Sequence, residues 1–340
     1  MYGSQNNPNK DHEVSSPPSD GISSLSWSPN SQFLVAGSWD EKVRCWQINH
    51  GGNNSFQSSP KSMTAVGAPI LCTEFAPDGA KVFTGACDGK AQLWDLQANK
   101  LQAIGKHDQP IRHMAWVANH NLLVTGGWDK TLKYWDCRQP NPSATVQMPE
   151  RVYAMDIVGR LGVIGCANRH ILAFDMQKPQ TPLRKVDSPL KCQTRCIACF
   201  PDATGFALGS IEGRVAIHYV NQNRASDNFA FKCHREGKNV HAVNCIAFNS
   251  QYGTFATCGS DGTFHFWDKN SKQRLKQFKK CAKSITAAAF SPNSSAFAYA
   301  VSYDWSKGVQ RYNPSDPNSI YIHGTPPGEI QSRAKPNRRH

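Results

Sequence analysis

HDQPIRHMAWVANHNLLVTGGWDKTLKYWD, residues 107–136, is the stretch on which the reading of this chain turns. It holds three short runs of strand-forming residues, 111–116, 122–125 and 132–135, each ended by turn formers such as Asn119, Gly126, Gly127 and Asp129. This spacing predicts a small antiparallel meander. One meander cannot bury both faces of its sheet, so the same pattern is expected elsewhere in the chain.

It recurs on a fixed interval. An acidic or amide residue in a Gly/Ser-rich turn is followed six positions later by an aromatic or its substitute: Asp40 and Trp46, Asp88 and Trp94, Asp129 and Trp135, Asn168 and Phe174, Glu212 and His218, Asp261 and Trp267. A seventh copy, Asp304 and Tyr312, is stretched by an inserted Trp305-Ser306-Lys307-Gly308. The aromatic positions repeat every roughly 40 to 50 residues, the period of four-stranded propeller blades. The fold expected is all-β, a seven-bladed β-propeller closed into one ring.

Composition agrees. Length alone would suggest two domains for 340 residues, but a repeat array lets one unit outgrow a single core. Long helices are excluded by 25 Gly and 21 Pro, which punctuate the chain at short intervals. No run of about 18 apolar residues occurs and the N-terminus lacks a signal-peptide core, so the expectation is a soluble, unsecreted protein with no membrane insertion. Of the 12 cysteines, Cys45, Cys72, Cys166, Cys245 and Cys258 fall inside strands without framework spacing, which suits free thiols in a reducing nucleus or cytosol. The net charge of +13 favours acidic peptides or nucleic acid as partners.

Along the chain, residues 1–20 are Ser-, Asn- and Pro-rich and read as largely disordered, the run 11–14 excepted. An open ring would leave unpaired strand edges, and two segments compete to close it, 11–14 and 319–323. Blades follow at 21–48, with an outer strand near 62–66 after a Gly/Asn/Ser loop at 49–59, then at 69–96, 107–136, 151–176, 195–220, 242–269 and 284 to about 313. The propeller is bounded at 21–323, and 324–340 reads as a flexible basic tail.

Candidate chemistry is sparse. Cys192, Cys196 and Cys199, with Cys233 and His234 beyond, would need four ligands on one side for zinc. Cys196 and Cys199 are three apart on a strand, which sends them to opposite faces. His218 at an aromatic position reads as core. Between blades 5 and 6, Phe229 and Phe231 read as part of an outer strand, with Arg235 emerging in the loop that follows. A basic run, with Lys276, Lys279 and Lys280 at its centre, and the tail residues Arg333, Lys335, Arg338 and Arg339 could reach phosphate. No GxxxxGK[ST] or HExxH occurs, and no catalytic residue, cofactor or metal is expected.

The opening stretch resembles a WD-repeat blade. That resemblance places His107, Thr125, Asp129 and Trp135 at the family's structural His-Ser/Thr-Asp-Trp set, so an apparent Thr-His-Asp triad is explained by blade hydrogen bonds. A narrower resemblance rests on GSWDEKVRCW (37–46), TGGWDKTLKYWD (125–136), PERVYAMD (149–156), GFALGSIEGRVAIHYV (205–220), FAFKCHR (229–235) and AYAVSYDWSKG (298–308). Together these look like the nuclear-pore mRNA export factors of the Rae/Gle type, over residues 10–313. The Bub-type spindle-checkpoint propellers share EGRVA and FKCHR, but resemble this chain less at SYDWSKG and in the blade of residues 107–136.

The resemblance implies a non-enzymatic adaptor in the nucleus and at the nuclear pore, with shuttling to the cytoplasm. It would bind the GLEBS segment, an acidic-hydrophobic stretch of a Gly-Leu-Phe-Gly-repeat nucleoporin, across the top face of the ring. RNA contact and spindle or checkpoint partners are also implied. Top-face positions precede each b–c turn acid or open strand a, which gives Trp39, Arg112, Trp128, Arg151, Tyr153, Tyr303, Trp305 and Lys307, with Arg235 on the same face. A structural repeat has no use for an insertion that breaks its interval, so Trp305 and Lys307 are the residues most expected to bind. An RNA-backbone binder is the competing reading, and it would rest instead on the lysine run and the tail.

Overall fold

The computed structural model describes residues 7–52 and 55–332. Within them seven four-stranded antiparallel sheets stand around a central channel. Strand a of each sheet, the innermost, lies beside strand a of the next, and blade 7 returns to blade 1. Blade 3 shows the plan: strands a (Ile111–Val117), b (Leu122–Gly127), c (Thr131–Trp135) and d (Ala144–Gln147) pair in order.

Burial follows position. Strand b is covered on both faces by neighbouring blades, so Leu161–Cys166, Gly205–Ser210 and Ala296–Val301 are buried throughout. Outer strands such as Ala144–Gln147 and Arg184–Asp187 alternate half-buried with exposed, as one wet face requires. The blades approach closely: a Cβ on Gly37 would come within 2.6 Å of Ile70 in the next blade. The core is divided into seven apolar clusters, one in each interface between consecutive blades. In the interface of blades 6 and 7, Phe264, Phe266 and Phe297 are buried together, each contributing roughly 2–3 kcal/mol by removal from water.

Ring closure uses both competing segments. Blade 7 consists of Ile285–Phe290, Ala296–Val301, Ser319–Gly324 and, as its outermost strand, His12–Glu13 from the N-terminus. His12 pairs with Ile322 and Glu13 with Tyr321. Val14 is 1 % exposed, and its amide donates to Ile320 at 2.9 Å.

Four sequence expectations are corrected. The seventh copy of the interval is not Asp304 and Tyr312. Aligned by strand pairing, His323 stands opposite Phe297 where Trp135 stands opposite Leu123, so the b–c connection of blade 7 runs over residues 302–318. Tyr312 lies in that connection. The polar N-terminal segment is tied down from residue 7 onward, because its side chains bond to blade 7: the Tyr299 hydroxyl donates to Asp11 at 2.6 Å and Asn7 bonds to Tyr299 at 3.1 Å. Beyond residue 323 the chain continues as a packed one-turn helix, Pro327–Ile330, whose Ile330 is fully buried in the core between blades 6 and 7. The outer strand of blade 1 begins earlier than expected, at Phe56, and runs to Ala65. It pairs with a strand c prolonged to His50, whose ring stacks on Phe56 at 4.7 Å.

Candidate functional site

The innermost strand of every blade carries a register shift at the same place, between its first and third residues. The residues passed over are Ser23, Leu71, Arg112, Tyr153, Arg195, Asn244 and Thr286. A bulge turns its extra residue out of the ladder. Here it turns five of the seven, Ser23, Leu71, Arg112, Arg195 and Thr286, onto one concavity of about 520 Å³ at the mouth of the channel.

The rim of that concavity comes from the b–c turns. Trp39, Trp128 and Tyr303 each precede the turn acid of their blade, and all three line the concavity, together with Trp305 from the blade 7 connection. Trp39 is 44 % exposed, Trp128 38 % and Trp305 46 %. None of the three is a wedge between blades. Trp305 adopts a left-handed backbone, φ 59°, which a bulky residue holds only where its surroundings enforce it. Its ring stacks on Tyr312 at 4.8 Å, and the Tyr303 hydroxyl donates to the Gly308 carbonyl at 2.7 Å. The insertion is therefore a built platform.

The floor is cationic. Arg112 makes one long hydrogen bond, to the Leu71 carbonyl at 3.4 Å. Burial lowers its pKa, and the like charge of Arg195 acts in the same direction. Deeper in the channel, burial raises Asp156 to about 6, against hydrogen bonds from the amides of Cys199 and Ile157. Burial raises Glu74 to about 8, and the charge of Asp156 adds to it.

Of the residues expected on the top face, the concavity thus brings together Trp39, Arg112, Trp128, Tyr303 and Trp305. Arg151 and Tyr153 line the neighbouring cleft of blades 4 and 5, the guanidinium 5.6 Å from the tyrosine ring. Arg235 opens a short hairpin, Arg235–Glu236 with Asn239–Val240, and donates to the carbonyls of Glu212 and Gly213 at 2.6 and 3.2 Å. Lys307 is exposed on the insertion. Arg195 escaped the sequence reading, although aligning the strand openings Ile111-Arg112-His113 and Thr194-Arg195-Cys196 would have found it.

The lysine run is largely engaged within the molecule. Lys276 pairs with Glu329 at 3.2 Å and Lys280 with Glu236 at 3.2 Å. Lys272 covers the ring of Phe229 at 4.7 Å and Lys283 pairs with Asp316, whereas at Lys279 the backbone amide donates to Asn9 and the side chain is exposed. The tail candidates Arg333, Lys335, Arg338 and Arg339 lie outside the described residues.

Histidine chemistry here is structural. The Trp135 indole donates to Thr125 at 2.8 Å, Thr125 meets His107 Nε2 at 2.7 Å, and His107 Nδ1 meets Asp129 at 2.9 Å. Burial holds His107 below its ordinary pKa, despite Asp129, so a neutral ring donates from Nδ1 and accepts at Nε2. Blade 6 repeats the chain with Trp267, Thr257, His234 and Asp261, a role for His234 that the sequence reading missed. His234, Asp261 and His265 offer ligand atoms within 4.8 Å of one another. Both ring nitrogens of His234 are already bonded, and an ion there would have to break the blade 6 chain. Cys196 belongs to the core between blades 5 and 6 and Cys199 to that between blades 4 and 5, on opposite faces of their strand. Among the described residues, no helix is long and apolar enough to cross a membrane.

Comparison with known proteins agrees with the propeller fold. The WD domain, G-beta repeat model matches residues 10–47, 60–95, 99–136 and 229–268, leaving out blade 4 and most of blades 5 and 7. The chain is 45 % identical over 338 residues to "Protein Rae1" of Drosophila melanogaster, covering 95 % of this chain and 96 % of the relative. It is 45 % identical to the "Poly(A)+ RNA export protein" of Schizosaccharomyces pombe, covering 97 % and 94 %. To "mRNA export factor GLE2" of Chaetomium thermophilum it is 44 % identical, covering 97 % and 94 %.

Proposed function

This chain belongs to the Rae1/Gle2-type family of WD-repeat mRNA export proteins, and from that premise we propose that it is a non-enzymatic adaptor of mRNA export at the nuclear pore. Its ligand is the acidic-hydrophobic GLEBS segment of a nucleoporin, laid across the top face. The observation that carries this reading is the concavity itself: exposed Trp39, Trp128 and Trp305 around a mouth floored by Arg112 and Arg195.

Exposed tryptophan and arginine are the residue types that dominate binding energies, and a cationic floor complements an acidic ligand in rate and orientation. The surface is concave, apolar at its rim and charged at its base, which suits a short peptide segment with both characters. Arg151, Tyr153, Arg235 and Lys307 extend the contact beyond the concavity.

The test is a calorimetric titration of the full chain with a synthetic GLEBS peptide, repeated with the Trp305→Ala/Lys307→Glu variant. Binding by the wild type and its loss in a variant that keeps the wild-type melting curve is the expected result. A wild type that binds no peptide ends this reading. In that case single-stranded RNA becomes the ligand to titrate, with reversal of Lys276, Lys279 and Lys280 and a steep salt dependence as its signature.

A further inference from the structure

Seven times in this chain a serine or threonine stands directly before a proline. Ser28, Ser188, Ser291 and Thr325 are buried, at 0, 4, 2 and 6 % exposure. Ser16, Ser59 and Thr181 are exposed, but their settings differ. Ser16 holds a left-handed backbone, φ 52°. Ser59 is fixed in the outer strand of blade 1, paired with Gln47. Three residues further on, Ser16 and Ser59 are followed by Ser19 and Ser62, whereas Thr181 is followed by Arg184. Only Thr181-Pro182-Leu183-Arg184 joins an accessible hydroxyl to a proline and then to a cation.

That tetrapeptide lies in the connection between strands c and d of blade 4, residues 176–183, which is longer than 96–99 and 269–272, the same connections of blades 2 and 6. A repeat does not need the extra length, and loops that outgrow their scaffold carry function. The first half is tied down: the Lys178 amide donates to the Asp175 carbonyl at 2.8 Å and the Tyr134 hydroxyl to the Pro179 carbonyl at 3.1 Å. Residues 180–183 make no hydrogen bond among the described residues, and Leu183 is 63 % exposed. Arg184 gives one hydrogen bond, to the Val220 carbonyl at 3.1 Å, and its other N–H groups are unbonded among the described residues. Pro182 biases the residue before it towards extended backbone, the form in which a peptide lies in a kinase cleft.

We propose that Thr181 is a phosphoryl-acceptor site for a proline-directed protein kinase. A kinase of this class tolerates proline after the acceptor because the missing N–H leaves nothing unpaired in its cleft, and it selects among such sites by reading a cation three residues on. The Thr181 hydroxyl oxygen attacks the γ-phosphorus of magnesium ATP, the bond from that phosphorus to the β–γ bridging oxygen breaks, ADP leaves, and the hydroxyl proton passes to the kinase's carboxylate base. The product carries about 1.5 to 2 negative charges in a loop flanked by Lys178, Arg184 and Lys185. The c–d connection is at the end of the blade opposite the b–c turn, so this site is independent of any ligand on the top face.

The chain supplies its own control. Ser188-Pro189-Leu190-Lys191 has the same pattern, but Ser188 is buried, its oxygen accepting from the Leu190 amide at 3.2 Å and its amide donating to the Arg169 carbonyl at 2.8 Å. Burial alone should separate the two sites.

The experiment incubates the folded full chain with a purified cyclin-dependent kinase and magnesium ATP, and maps phosphate by tandem mass spectrometry in wild type, Thr181→Ala, Arg184→Gln and Arg184→Lys. Wild type should be phosphorylated at Thr181 and not at Ser188, and Thr181→Ala should fall to background. Arg184→Gln should slow incorporation about tenfold, the worth of one charge-assisted hydrogen bond. Arg184→Lys keeps the charge and should recover most of that rate, which the lost bond to Val220 would not explain. Equal incorporation by wild type and Thr181→Ala overturns the inference. So does labelling of Ser188 as fast as of Thr181, because accessibility then selects nothing, and so does a wild-type rate in Arg184→Gln, because the cation is then not read.

Discussion

Blades 3 and 7 occupy equivalent places in the ring and are held by opposite means. Blade 3 is closed from within, by a hydrogen-bond chain from Trp135 through Thr125 and His107 to Asp129. In blade 7 the place of that tryptophan is taken by His323, whose ring is held by Asp11 from the N-terminus at 2.7 Å and Glu329 from the C-terminal helix at 2.9 Å. The b–c connection of blade 3 is a tight turn, whereas that of blade 7 carries Tyr303, Trp305, Lys307 and Tyr312. Moving the lock from the top of the blade to the chain termini leaves the top of blade 7 free to hold an insertion.

The largest effect should come from breaking the local lock. Trp135→Ala removes a ring packed between blades 2 and 3 and orphans the donor chain. A loss of about 4 kcal/mol is expected, read as a shift of the urea midpoint. Thr125→Val keeps the packing and removes only the hub hydroxyl, so about 2 kcal/mol is expected. A Thr125→Val cost as large as that of Trp135→Ala would mean that the hydrogen bonds, not the ring, hold blade 3.

Blade 7 should instead be sensitive to pH. Burial alone would lower the His323 pKa, but hydrogen bonds to Asp11 and Glu329 and their charges outweigh it and raise it to about 9. Because the folded value exceeds the ordinary 6.5, the stabilisation is fully present below pH 6.5 and is lost as pH rises through 9. It amounts to about 3 kcal/mol. Stability of the wild type relative to His323→Gln should therefore fall between pH 6 and pH 10, with the two chains converging at the alkaline end. Asp11→Ala, which leaves only Glu329 for the imidazolium, should cost about 2 kcal/mol at pH 6. Equal pH profiles for wild type and His323→Gln would remove the distinction between the two locks.

The same contrast explains what the sequence disclosed. Turn chemistry and the six-residue interval are local, so blades 1 to 6 were legible from Asp40 to Trp267, including the substitutes Phe174 and His218. Blade 7 was legible only to its second strand. With histidine in place of the aromatic and a long connection before it, the interval was matched to Tyr312, and strand d comes from residues more than 300 positions away. At the site, Trp39, Trp128, Tyr303 and Trp305 could be read from their offset to the turn acid. Arg195 could not be read from that offset, because it is presented by a bulge in strand a. The role of His234 was hidden by the loop that separates it from Asp261.

The smallest effect on stability and the largest on binding are expected at one residue. Trp305 is the same residue type as Trp135, but nearly half its surface meets water and its backbone is left-handed. Its ring stacks on Tyr312 and meets Tyr303 at a tilt, both in the same connection. Trp305→Ala loses that stacking and gains some relief of backbone strain only if the turn relaxes, so the net change should stay within about 0.5 kcal/mol. Trp305→Gly adopts the same φ without strain and should match it. If either variant costs as much as Trp135→Ala, the insertion is part of the propeller's frame. If both fold like the wild type and fail to bind the peptide, the left-handed backbone at Trp305 exists to hold the ring out to a ligand.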